Sequence, residues 1–402
     1  MSFAILNCEL CKGKLREIID LGFHPPTLGF TASRPNEPKT LYPLRISRCE
    51  RCGLVQSGFA TDPKILWGGE YFYESGATVS FKKHLDGLAE RMIQYSPHFG
   101  VKPKFVVDIG SNDGTSLLKY QEAGIEVLGV DPSSVGAKAK VPTLNEFFSE
   151  TLVTEKIQGQ ADLITCFNTF AHVANLDSFM FGVKWLLNKG GVFLTESQYL
   201  VDIVEKLGYD TMYLEHLRYY SVHTMISLLG RWGLEVFDVE RTPSIGGSIL
   251  VYARAGSRSG GKRVEELLKL EDDVGLQRFE TYADFAQRVR QNRADLNSTL
   301  WELKRQGNRI VGIGAPGRST TIINYCGLGP DLIDYLVETS ALKIGRFSPG
   351  VEIPVVGEEK FLKDQPDYAV NFLWHLPQIA EKLRAKGFRG KVIEPLPKVK
   401  IT

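Results

Sequence analysis

Four short apolar runs between residues 105 and 197 restrict the possible fold more than any other feature of this sequence. They are FVVDIG, EVLGVD, ADLITCF and GGVFLTES, which begin at residues 105, 126, 161 and 190. Runs this short and this apolar are typical of strands that are buried on both faces of a parallel sheet. Because amphipathic stretches separate the runs, we predict a doubly wound α/β domain.

The segment after this domain predicts an antiparallel hairpin and a second α/β unit. LEVFDVER at 234–241 and SILVYARA at 248–255 are joined by TPSIGG, a short connection rich in turn formers. Residues 256–263 are predicted to form a linker because they are mainly Gly, Ser and basic residues. Residues 308–328 then show a strand, a glycine loop and a helix, which predicts a Rossmann-like unit.

Long connecting helices are expected between the linker and the second α/β unit. This stretch is charged, but five apolar residues recur in it at roughly helical spacing. They are Phe285, Val289, Leu296, Leu300 and Leu303.

Four of the six cysteines predict a structural zinc site near the start of the chain. They form two Cys-x-x-Cys pairs, made by Cys8, Cys11, Cys49 and Cys52. Each pair is followed by a glycine, Gly13 or Gly53, and this pattern is typical of a closed tetrahedral site with four thiolates. The loop over residues 12–48 exceeds the roughly 15 to 20 residues of a compact ribbon, so this region carries an insertion. Ordinary buried thiols or a redox pair are the alternative, while Cys166 and Cys326 are expected to be buried apolar residues.

Size and charge limit the class of protein and of partner. A chain of 402 residues favours two or three domains. Its 48 basic and 47 acidic residues give a net charge of +1, which disfavours a nucleic-acid partner. No apolar window approaches the ~20 residues of a membrane-spanning helix, and the first residues lack a secretory pattern. We therefore expect a cytoplasmic protein without a membrane partner, and a monomer is our working assumption.

The segment VVDIGSNDGTSLLKY carries the strongest ligand signal in the chain. Its strand, glycine bend and helix start leave backbone N–H groups available to a nucleotide-like ligand. The loop is neither G-x-G-x-x-G nor a Walker loop, and its acids disfavour a pyrophosphate but suit a sulfonium, an ammonium and a ribose diol. A further acid ends the next strand, near the ~20-residue offset of ribose-binding acids. These features point to S-adenosylmethionine (SAM), and its candidate ligands are Asp108, Gly110, Asn112, Asp113, Gly114 and Asp131.

The strand pattern and its terminal hairpin resemble those of class I methyltransferases. The order of the motifs over the whole chain resembles the zinc-containing nucleotide-sugar C-methyltransferases more specifically. Those motifs are the Cys-x-x-Cys pairs, YFYESG, DIGSNDG, NTFAHV, YLEHLRYYS, a GGS turn and a GAPxxxxxxxNYCG segment. The resemblance implies an α/β protein with a zinc-binding lobe at 1–75, a SAM-dependent, Rossmann-like methyltransferase at 76–256, and a helical linker with a Rossmann-like nucleotide-sugar-binding domain at 257–402.

The same resemblance implies the reaction. The family uses SAM to methylate a carbon, typically carbon 3, next to the keto group of a nucleotide-linked 4-keto-deoxyhexose. Such chemistry needs a base for a weakly acidic C–H and donors for the enolate. We predict His216 as the general base, with Tyr213 donating to the enolate oxygen or relaying the proton. Glu215 would orient His216 or hold a sugar hydroxyl, and the alternative is an exposed histidine at a helix start.

Further candidates follow from their places in the predicted sheet and in the family motifs. Asn168 and His172 follow the strand ADLITCF, and the resemblance suggests that both contact the sugar and polarise its keto oxygen. His172 could instead cap a turn. Tyr71 and Tyr73 lie in a segment that covers the active site in the family, or they pack the zinc lobe. Glu196 ends a strand and would bind substrate or cap the next helix.

The loop GIGAPGRSTT is predicted to anchor the nucleotide diphosphate. Its glycines allow a close backbone approach, and its arginine, serine and helix N–H groups supply donors. The family commonly has Lys-Gly at Arg318-Ser319, so the nucleotide stays open, and a loop that binds nothing is the alternative. The later segment KIGRFSPG is similar to a family stretch beside the same site. The substrate-binding candidates of this region are Gly314, Ala315, Arg318, Ser319 and Arg346.

Two other functions compete with this interpretation. A zinc-ribbon RNA methyltransferase is disfavoured by the near-neutral charge. A catalytically inactive binding protein with a methyltransferase fold is disfavoured because Asp108, Asp131, His172, Tyr213 and His216 all occur in one chain.

Overall fold

The computed structural model describes residues 1–33, 40–94, 102–256, 260–373 and 376–402. In chain order, the strands are β1 (Phe3–Ala4), β2 (Leu15–His24), β3 (Tyr42–Cys49), β4 (Val55–Ser57), β5 (Phe59–Ala60), β6 (Phe105–Ile109), β7 (Glu126–Val130), β8 (Thr143–Leu144), β9 (Ala161–Phe167), β10 (Leu187–Gln198), β11 (Arg218–Tyr219), β12 (Leu234–Thr242), β13 (Ser248–Ala255), β14 (Ile310–Ile313), β15 (Leu336–Glu338), β16 (Val355–Gly357), β17 (Tyr368–Asn371), β18 (Lys391–Glu394) and β19 (Lys400–Ile401).

The α-helices of the described residues lie between these strands. They are α1 (Pro63–Trp67), α2 (Val79–Ile93), α3 (Thr115–Glu122), α4 (Glu150–Lys156), α5 (Leu176–Leu186), α6 (Leu200–Glu205), α7 (Val222–Arg231), α8 (Lys262–Val274), α9 (Phe279–Arg305), α10 (Gly317–Cys326), α11 (Glu358–Asp364) and α12 (Leu376–Ala385).

The central sheet has seven strands in the order β12-β13-β10-β9-β6-β7-β8. Strands β6 to β10 are parallel, and β13 runs antiparallel to both β10 and β12. The predicted doubly wound domain and its closing hairpin are therefore confirmed. The parallel arrangement brings the carboxyl ends of β6, β7, β9 and β10 to one edge, where open α/β sheets bind their ligands.

The C-terminal sheet has six strands in the order β16-β15-β14-β17-β18-β19, and only β19 is antiparallel to its neighbour. This arrangement confirms the predicted second Rossmann-like unit, with α10 following the glycine loop after β14. The five apolar residues at helical spacing lie in α9, and all five are buried. The predicted linker is shorter than expected, because α8 begins at Lys262. Residues 257–259 of that linker lie outside the described residues.

The first lobe forms an antiparallel sheet with the order β11-β4-β3-β2, while β1 pairs with β5. Its edge strand β11 comes from the middle of the chain, and Arg218 and Tyr219 pair there with Gln56 and Val55. The first lobe is thus hydrogen-bonded to a segment that lies directly after Tyr213–His216. Among the described residues, no helix combines the length and the apolar character needed to cross a bilayer.

The four N-terminal cysteines come together in this lobe, as predicted. Their Sγ atoms all lie within 4.8 Å of one another, with 3.5 Å between Cys8 and Cys52 and 3.4 Å between Cys11 and Cys49. A tetrahedral zinc with Zn–S bonds of about 2.3 Å places its sulfur ligands about 3.8 Å apart, so the cluster fits zinc. Gly53 has a φ of 76°, and a Cβ on Gly13 would lie 3.1 Å from two of the sulfurs.

Removal of one thiolate should release the metal and unfold this lobe. We expect Cys49→Ser to lose the roughly one zinc per chain of the parent protein, because a closed site needs all four ligands. Elemental analysis measures the zinc, and thermal unfolding measures the stability. Cys166→Ser is the control, since Cys166 is buried in the central sheet and far from the cluster along the chain. The assignment would be contradicted if the parent protein contained no zinc, or if a chelator did not change its thermal unfolding.

The buried carboxylate of Glu271 fastens α8 to the methyltransferase domain. It is fully buried and accepts hydrogen bonds from Tyr199 Oη at 2.9 Å, from the Val222 N–H at the start of α7, and from His223 Nδ1 at 2.7 Å. The hydrogen bond from the imidazole to Glu271 raises the pKa of His223. Protonation of His223 therefore stabilises the fold, because the native state binds that proton more tightly than the unfolded state does.

This contact makes a small part of the stability depend on pH. The contribution is fully present below the ordinary histidine pKa of about 6.5 and is lost as the pH rises through the raised pKa. Because the His223 side chain is 33% exposed, we expect His223→Gln to lower the free energy of unfolding by less than about 1 kcal/mol at pH 6 and by less still at pH 9. Denaturant titration measures both values. Lys262→Gln at the start of α8, the helix that carries Glu271, is the control and should have the same effect at both pH values.

Candidate active site

The loop between β6 and α3 is organised by two buried acids. Asp108 is 2% exposed, and its carboxylate accepts hydrogen bonds from Ser116 Oγ and from Thr165 Oγ1, the latter at 2.6 Å. Burial raises the pKa of Asp108 to about 7. Asp131, after β7, accepts from the Asn112 N–H at 2.9 Å and from the Ser133 N–H at 2.9 Å. Both acids therefore shape the loop through side-chain and backbone donors of the chain itself.

Two further residues of this loop hold the aromatic segment that precedes α2. Asn112 has a φ of 53°, accepts from the Ser75 N–H at 2.8 Å and donates to the Tyr73 carbonyl at 3.1 Å. Asp113 accepts from the Gly76 N–H at 2.8 Å. The predicted cofactor loop is thus hydrogen-bonded to the YFYESG segment. Gly110 and Gly114 both have left-handed φ values, and a Cβ on Gly110 would clash with Thr169.

A stack of four rings links the three predicted catalytic motifs. His172 lies between Trp67 and His216, with ring centroids 5.0 Å and 4.9 Å away. The other face of His216 meets Tyr213 at 3.9 Å. Trp67 also contacts the ring of Tyr71 at 5.3 Å. The stack brings together side chains from α1, from the turn after β9 and from the segment before β11.

The hydrogen bond of His216 defines its tautomer. Its Nδ1 lies 2.8 Å from the Thr211 carbonyl, which can only accept, so Nδ1 carries the proton and Nε2 carries the lone pair. His216 is 6% exposed, and burial lowers its pKa to about 4. Burial and the neighbouring His216 also lower the pKa of His172 well below the usual value. Both imidazoles are therefore neutral at pH 7.

Glu215 is held by the first lobe. Its Oε1 accepts from both the N–H and the Oγ1 of Thr27, each at 2.8 Å, across 188 residues of sequence. Its Oε2 is buried and has no hydrogen-bond partner in the described part of the chain. Burial raises the pKa of Glu215. One oxygen thus anchors the residue to the first lobe.

Other buried polar atoms without partners in the described ranges lie in the segments that follow β6 and β9. Asn168 has a φ of 54°, and its Nδ2 is buried without a hydrogen-bond partner among the described residues. The same holds for His172 Nε2 and for Ser111 Oγ in the cofactor loop. Buried polar groups of this kind are normally satisfied by water or ligand. Together with the acids after β6 and β7, they make the carboxyl edge of the central sheet suitable for SAM and a polar acceptor.

The two candidate tyrosines have different surroundings. Tyr71 contacts Trp67 at the end of the ring stack, and burial, followed by the nearby Tyr73, Tyr213 and Glu215, raises its pKa well above the usual value. Tyr73 is 37% exposed and its backbone carbonyl contacts the cofactor loop. The sequence did not distinguish the two, whereas the structure joins Tyr71 to the rings around His216.

Glu196 has partners within the protein. Its Oε2 lies 2.8 Å from His84 Nε2, and its Oε1 accepts from Thr242 Oγ1 at 3.1 Å. The residue is fully buried. The sequence offered a substrate contact or a helix cap for Glu196, and in the structure its carboxylate joins α2 and β12 to β10.

The loop after β14 faces the first lobe and the segment before β11. Gly314 has a φ of 84°, and the N–H of Ala315 donates to Glu338 at 3.1 Å. Ser319 Oγ donates to the Pro316 carbonyl at 2.7 Å, within the first turn of α10. Arg318 forms a buried ion pair with Asp210, with Nε 2.6 Å from Oδ2. Its guanidinium is thus directed at the turn before Tyr213.

Two more cations lie near this loop. Lys343 is 7% exposed, and its Nζ donates to the Ala315 carbonyl at 3.0 Å and lies 3.6 Å from Glu338. Arg346 lies over the ring of Phe72 at 4.7 Å and pairs with Glu70 at 3.1 Å. A cavity of about 250 Å³ opens beside these side chains, and Phe30, Phe72 and Glu70 are among its lining residues.

Three residues of this region were absent from the sequence-based candidates, namely Thr27, Trp67 and Lys343. Thr27 and Trp67 contact Glu215 and His172 only through the arrangement of the lobes, and no local pattern signals such contacts. Lys343 could have been found, because it lies three residues before Arg346 in the segment already compared with the family.

Comparisons with known proteins agree with this architecture. Residues 8–67 match the family model of a putative zinc binding domain, residues 81–239 that of a methyltransferase domain, and residues 243–397 that of a C-methyltransferase C-terminal domain. The chain is 31% identical over 377 residues to the C-methyltransferase NovU of Streptomyces niveus, and the match covers 90% of this chain and 88% of NovU.

Solved structures also resemble part of the chain. One is magnesium protoporphyrin IX methyltransferase from Synechocystis PCC 6803 with bound SAM, at 13% identity and a TM-score of 0.33, covering 44% of this chain and 81% of that one. Another is a SAM-dependent methyltransferase from Clostridium acetobutylicum ATCC 824, at 14% identity and a TM-score of 0.35, covering 45% and 94%. The family models and the long match to NovU show that this protein belongs to the family of SAM-dependent, zinc-binding C-methyltransferases.

Proposed function

We propose that the enzyme methylates a carbon next to the keto group of a nucleotide-linked 4-keto-deoxyhexose, with carbon 3 as the acceptor and His216 as the general base. The observation that carries this proposal is the state of His216. Its ring is buried, its Nδ1 proton is held by the Thr211 carbonyl, and its Nε2 accepts no hydrogen bond from the described residues. A neutral imidazole with one lone pair left over is suited to take a proton from carbon.

The groups around His216 suit an enolate. Burial raises the pKa of both Tyr71 and Tyr213, so both phenols keep their protons and can donate to the developing oxyanion. The orphaned Nδ2 of Asn168 is a further donor, and the orphaned Oε2 of Glu215 can accept from a sugar hydroxyl. The residues around the base thus offer both donors and an acceptor, as a polar sugar requires.

The cofactor loop supplies the other half of the site. Bound SAM would provide an electrophilic methyl group on a sulfonium. Our candidates to hold it remain Asp108, Gly110, Asn112, Asp113, Gly114 and Asp131. The acids among them favour a cationic ligand, and the glycines permit a close backbone approach.

We propose that the nucleotide part of the substrate lies along the loop after β14. Gly314 and Ala315 begin this loop, and Ser319 lies in the first turn of α10, where N–H groups favour phosphate oxygens. Lys343 and Arg346 add two cations beside the cavity lined by Phe30 and Phe72. Each cation is paired with a carboxylate of the protein, so a diphosphate would compete with Glu338 and Glu70 for them.

The substrate class is tested directly by mass spectrometry. The purified enzyme is incubated with labelled SAM and a panel of 4-keto nucleotide sugars, with the matching 4-hydroxy sugars as controls. We expect one labelled methyl group on a 4-keto sugar and none on the controls, because only a neighbouring carbonyl makes the C–H acidic enough. Equal labelling of the 4-hydroxy sugars would contradict an enolate mechanism.

Replacement of the base should stop turnover and leave the cofactor site intact. We expect His216→Asn to lower kcat by at least about 100-fold, a usual contribution of a general base, while the SAM affinity in calorimetry stays unchanged. In the parent enzyme, the loss of kcat/KM caused by protonation of His216 should occur near pH 4 and not near pH 6.5.

His223→Asn is the matched control for this change. It makes the same replacement at a half-buried histidine that contacts Glu271, outside the ring stack, and its kcat should equal that of the parent. Full activity of His216→Asn would exclude His216 as the base.

A further inference from the structure

We propose that Asp210 and Thr321 position the base, so that helix α10 of the C-terminal lobe sets the orientation of His216 in the middle lobe. This inference rests on the proposed role of His216 in catalysis. Neither residue was a sequence-based candidate, and neither lies in the ring stack. Both act through the backbone turn that accepts the hydrogen bond from His216 Nδ1.

The turn over Tyr209–Thr211 provides the acceptor for the imidazole. Its last carbonyl, that of Thr211, accepts from His216 Nδ1 at 2.8 Å. A group that accepts from one ring nitrogen fixes the tautomer and the direction of the other. The placement of His216 Nε2 therefore depends on where this turn holds the Thr211 carbonyl.

Helix α10 holds the turn on both sides of Thr211. On one side, the Arg318 guanidinium pairs with the Asp210 carboxylate. On the other side, Thr321 Oγ1 donates to the Met212 carbonyl at 3.0 Å. Arg318 and Thr321 lie three residues apart on α10 and share one face of the helix. Helix α10 thus contacts Asp210 and Met212. These two residues precede and follow Thr211, whose carbonyl accepts the hydrogen bond from His216.

Burial makes the ion pair between Arg318 and Asp210 costly to break. The side chains of Arg318 and Asp210 are only 11% and 3% exposed, and a buried ion pair leaves an uncompensated charge when one partner is lost. Asp202 and Lys206 line the same cavity of about 320 Å³ as this pair, and Asp202 is paired with Lys206 at 2.6 Å and with Arg241 at 2.9 Å. Among the described residues, the salt bridge of Asp210 is the one with Arg318.

The same helix begins at the proposed diphosphate site. Its first residues follow the glycine loop after β14, and Thr320 Oγ1 donates to the carbonyl of Thr27, the residue that anchors Glu215. One helix therefore contacts the supports of both Glu215 and His216. A shift of α10 on substrate binding would therefore affect Glu215 and His216 at the same time.

The test uses Asp210→Asn and Thr321→Val in the full chain. Asp210→Asn keeps the shape of the side chain and removes its charge, while Thr321→Val keeps the shape and removes the donor. Thr321→Ser restores the donor, and Asn297→Ala is the control. Asn297 also donates to a carbonyl of α10, that of Cys326 at 2.9 Å, but it does not support the catalytic turn.

Two readouts are compared. The first is ¹⁵N NMR of the histidine rings without any substrate, with His216 assigned from the missing signals of His216→Asn. We expect the pure Nδ1–H tautomer in the parent, Thr321→Ser and Asn297→Ala, and a mixture of tautomers in Asp210→Asn and Thr321→Val. The second is kcat with the 4-keto nucleotide sugar, which should fall at least about tenfold in the last two variants while SAM affinity is unchanged.

The outcomes separate this inference from the proposed function. Unchanged tautomer signals in Asp210→Asn and Thr321→Val would overturn the positioning role, and so would an equal loss of kcat in Asn297→Ala. If His216→Asn is fully active while the tautomer still shifts, α10 positions the ring but the ring is not the base. Failure of Thr321→Ser to restore the parent tautomer would also count against the inference, because the hydroxyl is then not the cause.

Discussion

The hydrogen bond from His216 Nδ1 to the Thr211 carbonyl is the interaction on which the rest of the site depends. It assigns the proton to one ring nitrogen and leaves the lone pair on the other. The stacked rings of His172 and Tyr213 hold the plane of the imidazole from both faces. Two kinds of contact therefore determine the direction of the Nε2 lone pair. The hydrogen bond to the Thr211 carbonyl acts in the plane of the ring, and stacking with His172 and Tyr213 acts perpendicular to it.

All three lobes of the protein meet on the short segment that contains this histidine. The first lobe holds Glu215 through Thr27 and accepts β11 as an edge strand, while the C-terminal lobe holds the turn before Tyr213 through α10. The cysteine cluster lies in the same lobe as Thr27, so a zinc ion bound there would stabilise the lobe that anchors Glu215.

The sequence predicted the elements that depend on local pattern. Apolar runs predicted the strands β6, β7, β9 and β10, turn formers predicted the hairpin, and helical spacing predicted α9, because periodicity and turn chemistry act within a few residues. The Thr27–Glu215 and Arg318–Asp210 contacts join residues 188 and 108 positions apart, and they depend on how lobes pack. The sequence predicts Arg318 as a cation of a phosphate-binding loop, whereas no local pattern signals its ion pair with the buried carboxylate of Asp210.

Burial by the closed lobes accounts for the protonation state of the whole site. Desolvation disfavours the charged form of every group, so it lowers the pKa of His216 and raises the pKa of Tyr71 and Tyr213. The same physical cause thus keeps His216 neutral and both phenols protonated, which are the forms that the proposed removal of a proton from carbon requires. A site open to water would leave His216 partly protonated near pH 7 and would weaken each hydrogen bond to an enolate. Contact between the lobes thus supports the proposed reaction, because it keeps His216 neutral over a wider pH range than an exposed imidazole would be.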